Sequence, residues 1–469
     1  MNKPIVIVGG GISALLAAAV VRTLDDNIPI IIVEHDREVG GLLRKIDGGQ
    51  FGPFDCGMHT MTETGIPDLD QLLTGLLPED KWHRFAGNKR DLSGVYFQKQ
   101  LQHNAHHADL RLCDPHLYRE CLADYFLNIQ KPVQADATDM HGYARQRFGN
   151  LIAETVIDPV VRKTFHLEPR NVDPWAAKLI PLDRVILFDE VPFTQLMESP
   201  LLRERLAYPE QRNLQAQYTS GRGSYYPAEF GIYRVIDALA DRLRRQNVEI
   251  LTETRLMRLV QNPNRITEVH LENKQGTQQI VEPSRVFWTV GLPALARQLG
   301  GMPKDLEFDA ALQTVVVNFL FDRPPDTGDL YYFYTFDPSH SAFRIANFNN
   351  YCPGAARANG YPLCVELLLD ASAPHDEATC ISLAMQQLQD FGVLSSGTQT
   401  LFSTSRALPS GFPRLSCRNV RALERIRTEI DQHEIKNLTT LGILSRPGLF
   451  FQTDVLIDAY RQIMEGSFP

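Results

Sequence analysis

Cysteine is scarce and unpatterned in this chain of 469 residues: there are seven, an odd number, and no Cys-x-x-Cys pair. That argues against a disulfide framework and against a cysteine-built zinc site, and makes free thiols in a reducing cytoplasm the simplest reading. Long apolar runs are lacking as well, none approaching the ~20 residues needed to cross a bilayer. A basic excess is also missing. The formal net charge is −9, which argues against nucleic acid as a partner. No internal repeat or low-complexity linker divides the chain. His103, His106, His107 and His116 lie close together in a polar stretch, but no nearby carboxylate pattern completes a coordination set, so a solvated loop is expected there and no metal site. What remains is 43% hydrophobic and 22% charged, an ordinary globular composition with length for two or three domains and a substantial core.

What is present is concentrated in the first forty-one residues. Pro4-Ile5-Val6-Ile7-Val8 is a short apolar run. It leads into Gly9-Gly10-Gly11-Ile12-Ser13-Ala14 and a helix-like stretch from Leu15 to Leu24. A second apolar run, Ile28 to Val33, is closed by Glu34 with His35 beside it. Strand, glycine turn, helix and strand ending in an acid is the pattern of a dinucleotide site. Gly9 permits the tight turn, Gly11 lets the backbone approach a pyrophosphate, and Ala14 keeps the helix close to the strand. The helix start at Ile12 and Ser13 offers free N–H groups and partial positive charge to the phosphates. Glu34 stands where a carboxylate accepts ribose hydroxyls. Lys3 and the apolar stretch to Val21 resemble a secretory leader. The three glycines interrupt it, however, and the segment from Ile28 completes the βαβ unit.

Further along, Leu42 to Ile46 and Gln50-Phe51 suggest two short strands, and Asp68 to Leu77 a helix. Residues 114–165 read as mostly helical, with Ala144 to Val161 the clearest stretch. Gly221 to Pro227 is a glycine- and tyrosine-rich loop before an amphipathic helix from Ile232 to Gln246. Val248 to Thr252, Arg255 to Val260, Ile266 to Leu271, Gln278 to Val281 and Val286 to Val290 read as strands. A second sheet is expected from Val315 to Phe321, Leu330 to Phe336, Phe343 to Asn347 and Leu363 to Leu369. A helix follows from Glu377 to Phe391, then a strand from Leu438 to Leu444 and a helix from Val455 to Met464.

Glu34-x5-Gly40-Gly41-Leu42-Leu43-Arg44, followed by Phe54-Asp55-Cys56-Gly57-Met58-His59, resembles the FAD-binding start of the flavin amine oxidase superfamily, in which protoporphyrinogen oxidases and UDP-galactopyranose mutases fall. Tyr226-Pro227-x3-Gly231, Val248-Glu249-Ile250 to Leu256, and Ser445-Arg446-Pro447-Gly448-Leu449-Phe450-Phe451-Gln452-Thr453-Asp454 resemble later motifs of that family in the same order. The resemblance implies an α/β fold: a Rossmann-like FAD-binding domain with an inserted α+β substrate domain of mixed sheet and helices. The FAD-binding parts would be residues 1–95, 221–300 and 431–469. The helical part of the substrate domain would be 96–220 and its sheet part 301–430. Non-covalent FAD, a small-molecule substrate and an oxidoreductase activity are implied, with a non-redox sugar mutase as the alternative. Thr62 stands where the mutases usually carry a second histidine.

The resemblance also suggests roles. Gly41, Leu42 and Arg44 would lie at the pyrophosphate, and Leu256 at the adenine. Arg446 would contact the cofactor or the loop beneath it. Thr453 would cap the last helix, and free N–H groups near Asp454 and Val455 would face the flavin. His59 would hydrogen-bond the flavin or donate a proton near N5. Arg344, in a strand, would clamp a substrate anion or form a structural ion pair. Tyr332 and Tyr334 share one strand face, lining a pocket or an ordinary packed sheet.

Overall fold

The computed structural model describes residues 3–129, 136–300, 302, 305–357, 360–370, 376–408 and 411–466. Residues 130–135, within the stretch expected to be helical, lie outside it. Five short strands form a parallel sheet in the order Glu249–Leu251, Ile30–Val33, Ile5–Val8, Arg285–Trp288, Leu438–Thr440. The Ile5–Val8 and Ile30–Val33 strands are buried at every position, as a sheet covered on both faces requires. The Ile12–Leu24 helix is apolar around nearly its whole circumference. It is sheltered between this sheet, the Tyr233–Arg245 helix and the Gln452–Met464 helix. An antiparallel meander, Thr254–Gln261, Ile266–Asn273 and Gln278–Val281, covers the other face.

A second, mixed sheet has seven strands in the order Thr400–Leu408, Leu312–Phe321, Tyr361–Asp370, Ala342–Asn347, Tyr332–Thr335, Ser93–Phe97, Gln100–Gln102. The Ser93–Phe97 strand runs parallel to Tyr332–Thr335, and the other pairings are antiparallel. The Glu377–Asp390 helix packs on one face. A helical layer, Pro115–Ile129 and Met140–Phe148 with the segment from Asn150 to Phe165, builds a separate apolar core.

Several expectations are corrected here. The Ala144 to Val161 stretch is not one helix: Gly149, at φ +96, breaks it, and Ala153–Ile157 is wound as a π turn. The Gly221 to Pro227 loop contains a strand, Ser224–Pro227, paired with Met61–Thr62 and Trp82–Phe85. Leu42 and Leu43 belong to a 3₁₀ turn, and the short strands are Lys45–Ile46 and Phe54–Asp55. Two expected boundaries fall inside elements. Residue 95 is mid-strand in Ser93–Phe97, which joins the seven-stranded sheet. Residue 430 lies in the Cys417–Gln432 helix, whose Ile426 and Ile430 pack with Val6 and Val8 of the parallel sheet.

Candidate active site

Glycine is required at position 9. Its φ is +103, and a Cβ there would sit 2.3 Å from Thr289 Oγ1. Gly11 has the opposite character: nothing lies within 4 Å of where its Cβ would be. The Ile12–Leu24 helix starts at this opening with no side-chain cap. The amides of Ala14 and Leu15 donate to Gly11 O at 3.0 and 3.1 Å, which leaves those of Ile12 and Ser13 without an acceptor within the helix, and the positive end of its dipole faces the opening. Ala14 is fully buried against the sheet. Gly41, at φ +57, closes the other side, its missing Cβ 3.3 Å from Gly11 Cα, and Leu42 follows in the same turn. The backbone, helix start and open volume fit a pyrophosphate.

Glu34 is held at the rim. Its Oε2 accepts from Gly10 N at 2.7 Å and its Oε1 from Asp36 N at 2.8 Å, with the exposed His35 Nδ1 2.9 Å from Oε1. Glu34 N donates to Leu251 O at 2.8 Å, and Thr254 N donates to Glu34 O at 2.9 Å. The strand bearing the half-buried Leu256 therefore runs beside the acid. Arg44 does not stand free at this opening, because it pairs with Asp36.

The Asp55–Thr60 segment is held by two buried networks. Asp55 is wholly buried. Its carboxylate accepts from Tyr226 Oη at 2.6 Å and from Ile232 N at 2.9 and 3.1 Å, at the head of the Tyr233–Arg245 helix. Burial pushes this carboxyl up to about 6 despite those donors. Gly57, at φ +91, turns the chain over Glu366, and a Cβ there would lie 3.0 Å from Glu366 Oε1. Glu366 accepts from Met58 N at 3.1 Å, from Arg344 Nε at 2.9 Å and from Arg344 Nη2 at 3.0 Å, and Arg344 Nη2 also donates to Met58 O at 3.2 Å. Arg344 and Glu366 are direct cross-strand partners, so this fork fastens the loop to the seven-stranded sheet.

His59 sits half-buried in that loop. Burial, with the Arg344 charge, lowers its imidazole to about 4 against the opposing pull of Glu366. It is neutral at physiological pH and offers one N–H donor and one lone pair. Gln452, first in the last helix, donates from Nε2 to Thr60 O at 3.4 Å. The start of that helix therefore adjoins the His59 loop.

Other site expectations fare differently. Arg344 engages Glu366 through Nε and Nη2 as an ion pair, one of the two roles expected of it. Arg446 donates to Thr440 Oγ1, at the end of the Leu438–Thr440 strand, at 2.9 Å and to Ser445 O at 3.1 Å. Thr453 is not the helix cap: that position is Phe451, and the cap makes no side-chain hydrogen bond. Val455 N is not free either, since it donates to Phe451 O at 3.0 Å. Asp454 occupies the first turn, where a negative charge complements the helix dipole. Tyr332 and Tyr334 pack perpendicular to one another with centroids 5.5 Å apart, and the Arg344 guanidinium lies 5.8 Å from the Tyr332 ring. His106 and His107 are not on a solvated loop. Their ring centroids lie 4.3 Å apart with the planes tilted by 36°, His106 Nδ1 lies 2.8 Å from Ser93 Oγ, and His107 Nε2 lies 3.5 Å from Asp183.

Sequence reasoning missed Glu366, and it quoted Asp55 only within a family motif, with no role of its own. A lone acid inside the apolar run Pro362-Leu363-Cys364-Val365-Glu366-Leu367-Leu368-Leu369 is a signal of a buried charge with a partner.

Residues 7–76 match the model of the NAD(P)-binding Rossmann-like domain. No curated protein matches the chain in sequence. Among solved structures, a reduced UDP-galactopyranose mutase shares the fold at a TM-score of 0.76 and 15% identity, covering 99% of this chain and 96% of that one. A protein of Exiguobacterium sp. 255-15, provisionally assigned as a protoporphyrinogen oxidase, aligns at a TM-score of 0.68 and 17% identity over 99% and 98% of the two chains. An oxidoreductase of Methanosarcina mazei aligns at 0.62 and 11% over 99% and 100%. Among the described residues no helix is long and apolar enough to cross a membrane. Residues 7–76 thus match a dinucleotide-binding Rossmann-like domain, and the whole chain shares the α/β fold of these solved structures.

Proposed function

We propose that this protein is an FAD-dependent oxidoreductase that binds FAD non-covalently and takes a hydride from a small molecule. The observation that carries the reading is continuity. Gly41 closes on Gly11, Glu34 is tied to Gly10, and the start of the last helix is tied to the His59 loop through Gln452 and Thr60; together these would wall one site. The Arg344, Tyr332 and Tyr334 face of the second sheet adjoins the His59 loop. Bound flavin would supply the hydride acceptor, and the protein would position the substrate and handle its proton. Gly11, Ile12, Ser13, Gly41 and Leu42 would hold the pyrophosphate, Glu34 the ribose, and the Leu256 strand the adenine side. His59, kept neutral by burial, would donate or accept one hydrogen bond at the ring system. Arg344 would act through its pairing with Glu366, setting the height of the His59 loop. An anionic substrate therefore draws no support from Arg344, and the proposal is restricted to a small polar molecule.

A mutase-type isomerase is the second reading, favoured by the 0.76 TM-score over essentially the whole chain. Thr62 weighs against it: its Oγ1 lies 3.2 Å from Ser224 Oγ, a hydroxyl pair in place of an imidazole. The test is an absorbance spectrum of the purified, FAD-reconstituted protein, then anaerobic titration with amines, porphyrinogens and nucleotide sugars. Bleaching of the flavin band by one class supports the oxidoreductase and names its substrate. Turnover of a nucleotide sugar only after prior reduction, without net electron transfer, supports the isomerase. Failure to retain FAD overturns both.

A further inference from the structure

Asp55 lies at the joint between the two ends of the candidate site. Behind it is the pyrophosphate turn. The Phe54–Asp55 strand pairs with Lys45–Ile46, Asp55 opposite Lys45, and Lys45–Ile46 follows the Gly41–Leu43 turn with Arg44 alone between them. Gly40, which caps that turn, is packed on the Tyr233–Arg245 helix: at its φ of +119 a Cβ would sit 3.0 Å from Ile236 Cγ2. The Asp55 carboxylate holds the head of the same helix, accepting from Ile232 N at 2.9 and 3.1 Å. Tyr226 locks this contact, since its Oη donates to Asp55 at 2.6 Å and accepts from Gly231 N at 3.0 Å. Turn, strand pair, carboxylate and helix thus close into one frame, in which Asp55, Tyr226 and Ile232 are wholly buried.

Ahead of Asp55 runs the loop that carries His59. Asp55 O accepts from Asn318 Nδ2 at 3.2 Å, so the residue also meets the seven-stranded sheet, from which Glu366 holds Met58 N at 3.1 Å. Cys56 and Gly57 alone separate these two fastened residues. We propose that Asp55 is a positioning residue that fixes the His59 loop relative to the pyrophosphate turn, so that one frame sets the spacing between the two ends of a bound dinucleotide. This rests on the FAD reading for what meets the His59 end. Asp55 is enclosed and acts through other groups: the Ile232 amide and its helix on one side, Cys56 and Gly57 on the other.

The chemistry of the joint calls for a carboxylate. It must accept from a hydroxyl and from an amide at once, and an ionised carboxyl does so without presenting a donor of its own. Asparagine has the same size, but its NH₂ must face either Tyr226 Oη or Ile232 N, and whichever it faces loses its acceptor. The frame then shifts while the packing around it stays filled.

The test uses the full-length protein. In apoprotein carrying 15N-histidine, with His59 assigned by its loss in His59→Gln, Asp55→Asn and Tyr226→Phe should each move the His59 ring resonances. Ile430→Ala, which opens a cavity in the core on the other face of the parallel sheet, should lower stability and leave them in place. His59 resonances unmoved in folded Asp55→Asn and Tyr226→Phe, or moved as far in Ile430→Ala, overturn the proposal. This measurement needs no ligand, so it stands even if FAD is never bound. Equilibrium dialysis then compares ADP, which calls only on the glycine turns and Glu34, with FAD, which also reaches the His59 end. Asp55→Asn should bind FAD about tenfold more weakly, the worth of one hydrogen bond, and ADP as wild type does. Equal losses for ADP and FAD, or no loss for FAD, likewise overturn the proposal. Wild-type protein that binds ADP and not FAD overturns the FAD reading instead, and the His59 resonances alone then decide the role of Asp55.

Discussion

Glu366→Gln keeps the size of the side chain and removes the charge beneath Arg344. The pair is largely out of water, with side-chain exposures of 18% for Arg344 and 10% for Glu366. Breaking such a pair from one side costs roughly 3–5 kcal/mol, because the surviving charge stays buried without its counterion. The glutamine oxygen can still accept from Met58 N. Glu366→Leu cannot, and should cost about 1–3 kcal/mol more for the orphaned amide. The double variant Arg344→Met, Glu366→Leu removes both charges and should recover most of the loss, since apolar replacement of a whole buried pair is often near neutral. Against a typical total of about 5–15 kcal/mol, the single-variant losses are easily measured in urea unfolding followed by tryptophan fluorescence. Single-variant costs below about 1 kcal/mol, the worth of a solvent-exposed pair, would refute the reasoning. So would a double variant that costs the sum of the singles.

The two outer glycines of the first turn should separate stability from binding. Gly9→Ala forces a Cβ to 2.3 Å from Thr289 Oγ1 at a φ of +103 and should destabilise by at least about 1–3 kcal/mol. Gly11→Val, facing open space, should leave the melting temperature of the apoprotein nearly unchanged and abolish retention of the dinucleotide in gel filtration. Equal effects of the two variants on stability would contradict the geometry. His59, lowered to about 4 from 6.5, contributes stability that is fully present above pH 6.5 and is lost as pH falls toward 4. Asp55, raised from 3.8 to about 6, contributes stability that is present below 3.8 and is lost as pH rises through 6. Urea melts across that window should show His59→Gln losing the first dependence and Asp55→Asn the second, and curves parallel to wild type would contradict both assignments. Thr453→Ala should change stability by less than about 0.5 kcal/mol, since Thr453 caps nothing. A loss of about 1 kcal/mol or more, the worth of a true cap, would reinstate it as one.

The parts of the site legible in the sequence were those written contiguously. Gly9 to Glu34 is one βαβ unit whose glycines, apolar runs and terminal acid are set by local geometry. The central strands of the second sheet announced themselves by long apolar runs. The Ser93–Phe97 strand did not, because its partner Tyr332–Thr335 lies more than two hundred residues away and nothing local dictates the pairing. The Thr400–Leu408 edge strand is polar and largely solvent-facing, so it lacked a buried-strand pattern. Arg344 was visible as a lone charge in a strand, but its role depended on Glu366, which the register alone places opposite. The histidine pair was misjudged because a polar neighbourhood in sequence says little about burial once Asp183 and Ser93 arrive from elsewhere.

The order of the parallel sheet has a consequence for synthesis. The Ile5–Val8 strand is flanked by Ile30–Val33 on one side and by Arg285–Trp288 on the other, and the sheet ends with Leu438–Thr440. The Ile12–Leu24 helix, apolar on nearly every side, has its shelter completed by Gln452–Met464. During translation that helix and its strand must wait for several hundred residues before their last neighbours emerge. Such delayed, non-local pairing is slow and exposes sticky surface. The nascent chain should therefore depend on chaperone holding until the Gln452–Met464 helix is released, and truncations that remove that helix should reach the insoluble fraction before any question of catalysis arises.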